Sequence, residues 1–214
     1  CIHKYNIKLC GYAQLYRKMS RMGLFKKFKA PQVKIELKLD EVAYNYTDKL
    51  TGRIVIDPQE EISVNEFRLE FGGNEKIKWK KGFSSWSSTS SLETKKIPIA
   101  SPVKLQKGQH YEQPFQIDIP LYSRPDPFTE IEVKVKGVAT VQGRPDLTHE
   151  VKPVITFPYV IECLTEYGGC GFMTQPIPEP VTVCPRCGHN LEEVWNRKYS
   201  EEARGKVAEG VRRF

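Results

Sequence analysis

The amino-acid sequence predicts an all-β protein: an antiparallel β-sandwich, followed by a small cysteine-based module and a C-terminal helix. Three observations carry this. From Val33 onward apolar residues recur at every second position in a series of short runs, the mark of strands with one buried face. No amphipathic helix separates those runs, which excludes a parallel sheet built on helical crossovers. Two Cys-Gly pairs, Cys170-Gly171 and Cys187-Gly188, then fall within twenty residues of each other.

The strands follow in order. Val33, Ile35, Leu37 and Leu39 alternate with Lys34, Glu36, Lys38 and Asp40. The pattern returns at Ile54-Val55-Ile56, at Phe67, Leu69 and Phe71, at Ile97 and Ile99, at Phe115, Ile117 and Ile119, and at Ile131, Val133 and Val135. A last run covers Val151 to Ile161. Turn residues separate the runs at Asp57-Pro58, Gly72-Gly73, Lys107-Gly108 and Gly143-Arg144-Pro145. The stretch Gly82 to Ser91 is dominated by serine and predicts a loop. In it Phe83 and Trp86 are either a contact surface or side chains folded back on the sheet, and the serines are candidate phosphorylation sites. A closed barrel is the architectural alternative to the sandwich.

Leu37-Lys38-Leu39-Asp40, then Tyr44-Asn45-Tyr46, then Leu50-Thr51-Gly52-Arg53-Ile54-Val55-Ile56 resembles the opening of arrestin-like domains. Glu66 to Gly73 is similar to the strand that follows in that family, Pro114 to Pro120 to its phenylalanine–hydrophobic–proline segment, and Ile131 to Val141 to its penultimate strand. The resemblance runs over residues 33–162 and is nearest to the sporulation-control and retromer-subunit type. It implies an immunoglobulin-like or arrestin-like β-sandwich over residues 31–162 that acts as an adaptor or scaffold for an unidentified protein partner, not as an enzyme. Arrestins usually have two sandwiches, and this sequence has room for one.

Residues 163–190 form the cysteine module. Cys184-Pro185-Arg186-Cys187-Gly188 is a zinc-knuckle pattern: two intervening residues let both thiolates face one ion, and the glycine permits the turn. With Cys170-Gly171-Phe172 upstream the module resembles a zinc ribbon, and Tyr167 stands where a full ribbon would have a cysteine. Cys170, Cys184 and Cys187 are thus three ligands of a structural Zn2+. Cys163 is the preferred fourth, with His189, or a degenerate site without stable metal, as the alternatives. So short a segment lacks an apolar core of its own, so metal would supply its folding free energy, on the order of 10 kcal/mol. Asn190 and Glu193 then form a capping box, and Leu191, Val194, Trp195, Tyr199, Ala203, Val207 and Val211 recur at helical spacing, which predicts an amphipathic helix over 191–214.

Charge is unevenly spread. The chain of 214 residues has a formal net charge of +7, but residues 1–30 contain eight lysines and arginines and no acid, so the remainder is close to neutral. These residues are expected to be a solvated basic N-terminal arm, with Met22 a candidate natural start. Leu15, Met19, Met22, Phe25 and Phe28 at helical spacing give a second expectation for it, weak peripheral membrane contact. A third is nucleic-acid association, as in a zinc-ribbon protein. The body's neutrality favours the scaffold reading. No nucleophile elbow, P-loop or dinucleotide fingerprint is present. His149-Glu150 lacks the second histidine of a zincin, and His110 and His149 are expected on strand surfaces. No secretion signal or membrane span is evident, which predicts a cytoplasmic protein with reduced cysteines.

Overall fold

The computed structural model describes residues 30–211, with side chains through residue 205. The predicted basic arm up to residue 29, with Met22 and the Leu15–Phe28 stripe, lies outside the described residues, as do the side chains of Val207 and Val211. Eleven strands are described: β1 (Val33–Leu39), β2 (Ala43–Asn45), β3 (Lys49–Pro58), β4 (Ile62–Lys81), β5 (Ser84–Ser91), β6 (Lys95–Ala100), β7 (Val103–Leu105), β8 (Tyr111–Asp118), β9 (Thr129–Val141), β10 (Leu147–Val151) and β11 (Val154–Thr156). A 3-10 turn, η1 (Thr165–Tyr167), and a helix, α1 (Leu191–Val211), follow.

Two antiparallel sheets face each other. One has the order β1-β3-β8; the other runs β10-β9-β4, with β7, β6 and β5 pairing in turn with successive lengths of β4. Their facing apolar positions, among them Leu37, Ile54, Ile56 and Phe115 from the first and Phe67, Leu69, Phe71 and Val135 from the second, form one buried core. The fold is therefore an antiparallel β-sandwich, as the period-two runs predict. At one side the Leu37 amide of β1 donates to His149 Nδ1 of β10 at 3.1 Å, a polar link between the sheets. His149 is thus half-buried, while His110 is exposed between Asp57 and Glu112.

Four expectations are corrected. Asp57-Pro58 does not turn the chain, because β3 pairs with β1 through Pro58 and the bend comes after it. Gly72-Gly73 is likewise no turn: β4 runs through it for 20 residues. The glycines serve close approach, since a Cβ on Gly73 would lie 2.0 Å from the Glu132 carbonyl oxygen of β9. The serine-rich stretch is not a loop but a strand, with Ser84 to Ser91 paired antiparallel to Lys81 to Asn74. Cross-strand hydrogen bonding and packing of Trp86 outweigh serine's weak strand propensity there. Finally, Val151 to Ile161 is not one strand. Pro153 and Pro158 break it into the end of β10, then β11 paired parallel to β2, then an isolated bridge at Tyr159.

A second apolar cluster lies at the far end of β4. Trp79, Ile161, Cys163, Cys184, Leu191, Trp195 and Tyr199 are buried together, with Ile77, Trp86 and Phe128 against them. The helix lies across β5, its ring of Tyr199 stacked on Trp86 at 5.0 Å. Asn190 caps it, its Oδ1 accepting from the Glu193 amide at 3.1 Å. No described helix is long and apolar enough to cross a membrane.

Candidate metal centre

Four cysteines converge between the sandwich and the helix. The Sγ atoms of Cys163, Cys170, Cys184 and Cys187 all lie within 4.8 Å of one another. Cys163 and Cys187 are 3.7 Å apart, as are Cys170 and Cys184. A tetrahedral ion with bonds of about 2.3 Å to sulfur sets its ligands about 3.8 Å apart. The side-chain placement therefore fits a four-coordinate metal, and soft thiolates suit zinc, copper(I) or iron.

Local backbone structure explains how these sulfurs meet. Cys163 leaves the last segment of the sandwich, and η1 folds the next residues back. The Gly169 amide donates to the Leu164 carbonyl and the Gly171 amide to the Cys163 carbonyl, each at 2.8 Å. A Cβ on Gly169 would sit 2.4 Å from the Cys163 carbonyl oxygen, so only glycine fits this closure. The Cys170 amide then points at Cys163 Sγ, 3.4 Å away. In the second loop the Gly188 amide donates to the Cys184 carbonyl at 2.9 Å. Gly171 and Gly188, each following a cysteine, share a φ of 74°. The antiparallel bridges Tyr159–Ile177 and Glu162–Met173 close the first loop, and Val183–Asn190 closes the second. Two short loops thus stand where a ribbon would place paired hairpins.

Electrostatics set Cys163 and Cys184 apart. Burial pushes Cys163 up to about 12, and the neighbouring sulfurs add to the rise. Burial also raises Cys184, but the amides of Cys187 and Arg186 donating to its sulfur outweigh this and bring it down to about 7. Cys184 therefore gives up its proton more readily than Cys163. Of the two candidates for a fourth position, Cys163 lies within the cluster. His189 stands outside it, its Nδ1 3.2 Å from Cys187 Sγ and suited to hold that sulfur rather than an ion.

Around the cysteines lie contacts that sequence reasoning missed. Thr174, buried, accepts the Ile161 amide on its Oγ1 at 2.9 Å. Trp195 Nε1 donates to the Glu162 carbonyl, and Trp79 Nε1 to Asn196 Oδ1. Asp126 is fully buried just before β9. Its Oδ1 accepts the Phe128 amide at 2.6 Å, and its Oδ2 accepts Thr129 Oγ1 at 2.8 Å and the Tyr199 hydroxyl at 2.6 Å. Burial, together with that carboxylate, raises the Tyr199 phenol well above its ordinary value. Tyr199 belongs to the helical stripe visible in the sequence, whereas nothing in Pro125-Asp126-Pro127 announces a buried acid.

No protein-family model matches the sequence, and no curated protein matches it. Among solved structures, the chain is similar to Spo0M, a sporulation control protein from Bacillus subtilis. The likeness has 16% identity and a TM-score of 0.44, and covers 58% of this chain and 49% of that one. The chain thus spans about half the length of that protein.

Proposed function

We propose that this protein is a non-catalytic binding scaffold of the arrestin-like type, in which a structural zinc ion locks the C-terminal helix onto the sandwich. The supporting observation is the convergence of four cysteine sulfurs within 4.8 Å, two of them buried, with Cys170 half-buried and Cys187 exposed. Cys163 and Cys184 are 0% and 1% exposed and share one apolar cluster with Leu191, Trp195 and Tyr199 of the helix. Four protein ligands leave a zinc ion no position for water or substrate, which is the arrangement of structural rather than catalytic sites. Zinc is preferred because a closed tetrahedral set of four cysteines is one of its usual structural sites.

The scaffold reading has a place for its partner. Strand β10 pairs with β9 only from Val135 to Ala139, so among the described residues no strand pairs with the β9 edge from Thr129 to Lys134 on that side. That edge and β11 border a cleft of about 520 Å³. An extended segment of a partner can add to such an edge through main-chain hydrogen bonds.

The deciding experiment is native mass spectrometry of the chain and of its Cys163→Ser and His189→Ala variants. One zinc per chain, lost with Cys163→Ser and kept with His189→Ala, supports the reading. Zinc retained in both variants implies an open coordination position and overturns it, as does a parent chain that binds no zinc.

A further inference from the structure

The turn between β4 and β5 projects an aromatic ring that the fold does not use. Lys81 pairs with Ser84, so Gly82 and Phe83 form a two-residue hairpin loop. Gly82 has φ 59°, and among the described residues no residue other than glycine has positive φ, the pattern of a turn with glycine first. The second position of such a turn commonly takes a small polar residue. Here it holds Phe83, 112% exposed, the most exposed large apolar side chain described.

Cations surround that ring on both faces of the hairpin. Lys80 and Lys81 precede the turn, are exposed, and form no ion pair among the described residues, whereas Lys76 and Lys78 further down the strand pair with Glu132 and Glu130. On the helix side a hollow of about 270 Å³ is lined by Lys81, Arg197 and Arg204, with Glu193 and Glu201 also at its wall. A neighbouring hollow of about 340 Å³ joins Arg204 to Phe83. Arg204 is exposed and its Nε donates only to the Ser200 carbonyl. Lys80, Lys81 and Arg204 thus bring three cations without an ion pair among the described residues to the neighbourhood of the tip.

We infer that this tip is a docking element for an anionic lipid surface, with Phe83 entering the interface and Lys80, Lys81 and Arg204 meeting lipid phosphates. One aromatic ring on a convex, two-residue turn offers too little area for a stable protein interface. Single-stranded nucleic acid is held in a groove with stacking rings along it, and Phe83 stands on a projection. A fluid interface accepts one ring and any arrangement of cations around it, and each lysine near an anionic surface strengthens binding about fivefold. The eight cations and no acids of residues 1–30 add a second, unspecific attraction on the same chain.

The test is co-sedimentation of the 214-residue chain with phosphatidylcholine vesicles, with and without phosphatidylserine. The variants are Phe83→Ser, Lys80→Glu with Lys81→Glu, and Phe83→Trp, all at exposed positions. Expected are binding that needs phosphatidylserine, a loss of about fivefold for Phe83→Ser and at least about tenfold for the double charge reversal. The added tryptophan of Phe83→Trp should shift to shorter wavelength on vesicles, a readout that binding through the N-terminal residues alone would not move. No binding, binding that Phe83→Ser leaves unchanged, or an emission unaltered by vesicles each overturns the inference. So does a charge reversal that abolishes binding to single-stranded DNA while vesicle binding persists, which would assign the tip to nucleic acid.

Discussion

Replacing Tyr199 by phenylalanine removes a single oxygen from the contact that ties the helix to the sheet. The ring keeps its stack on Trp86, its edge contact with Phe128 at 5.7 Å and its tilted contact with Trp195 at 5.8 Å. What goes is the donor to Asp126 Oδ2, leaving that oxygen with Thr129 Oγ1 alone and Oδ1 with the Phe128 amide. A hydrogen bond to a charged group contributes about 1.5–3 kcal/mol. For a chain of this size that predicts a fall in Tm of about 3–12 °C. The assay is urea unfolding followed by tryptophan emission, with a double-mutant cycle through Asp126→Asn. Because the two groups act on each other, the coupling energy should exceed about 1 kcal/mol. A coupling below about 0.5 kcal/mol, the size of ordinary non-additivity, would refute the assignment of Asp126 and Tyr199 as the polar lock of the helix.

Three further outcomes follow from the same geometry. Gly169→Ala places a methyl group 2.4 Å from the Cys163 carbonyl oxygen, so the first loop must open; metal affinity, measured by competition with a chromogenic chelator, should drop about tenfold or more. His110 accepts its proton more readily than a free imidazole because Asp57 and Glu112 flank it. Its contribution to stability is then full below the ordinary histidine pKa of about 6.5 and lost as pH rises through the raised folded value. Urea midpoints of His110→Gln across that range should lack the corresponding decline. Removing the metal with a chelator should shift tryptophan emission to longer wavelength, since Trp79, Trp86 and Trp195 all border the cysteine cluster, while the far-ultraviolet sheet signal persists.

How far the sequence revealed this arrangement depends on the kind of signal. Strands with one wet face are legible: Val33 to Leu39 alternates because β1 is solvated on one side and packs toward the second sheet on the other, where Leu37 meets Gly137 of β9. Three of the four sulfurs are legible because Cys170 and Cys187 each precede a glycine in the left-handed region and Cys184 stands two intervening residues before Cys187. Cys163 has no such neighbour; it joins the site through the fold of η1, a contact of tertiary origin. β5 is illegible for a different reason. Its strand conformation comes from the ladder to β4 and from Trp86 packing on Tyr199, more than 100 residues away in sequence, which outweigh the polar composition of the segment. Gly72-Gly73 misleads because a glycine needed for close strand approach looks the same in sequence as one needed for a turn.

That glycine pair also explains how one chain carries two separable apolar clusters. β4 enters the sandwich core through Phe67, Leu69 and Phe71 and contributes to the second cluster through Ile77 and Trp79, and the two sets of buried residues do not overlap. Between them, at Gly72-Gly73, the strand carries no side chain to couple one cluster to the other. Backbone pairing with β9 runs unbroken from Glu66 to Ile77, so the strand remains continuous while the packing does not. The second cluster is small, and two of its members, Cys163 and Cys184, are metal-ligand candidates rather than aliphatic side chains. With an ion bound as proposed, its stability would depend on that ion far more than the sandwich core does. Loss of metal should release the helix and loosen the β4–β5 hairpin while β1, β3, β8 and the Phe67–Phe71 length of β4 stay packed. On that reading the sandwich and its cysteine-bearing end are two cooperative units strung on one strand.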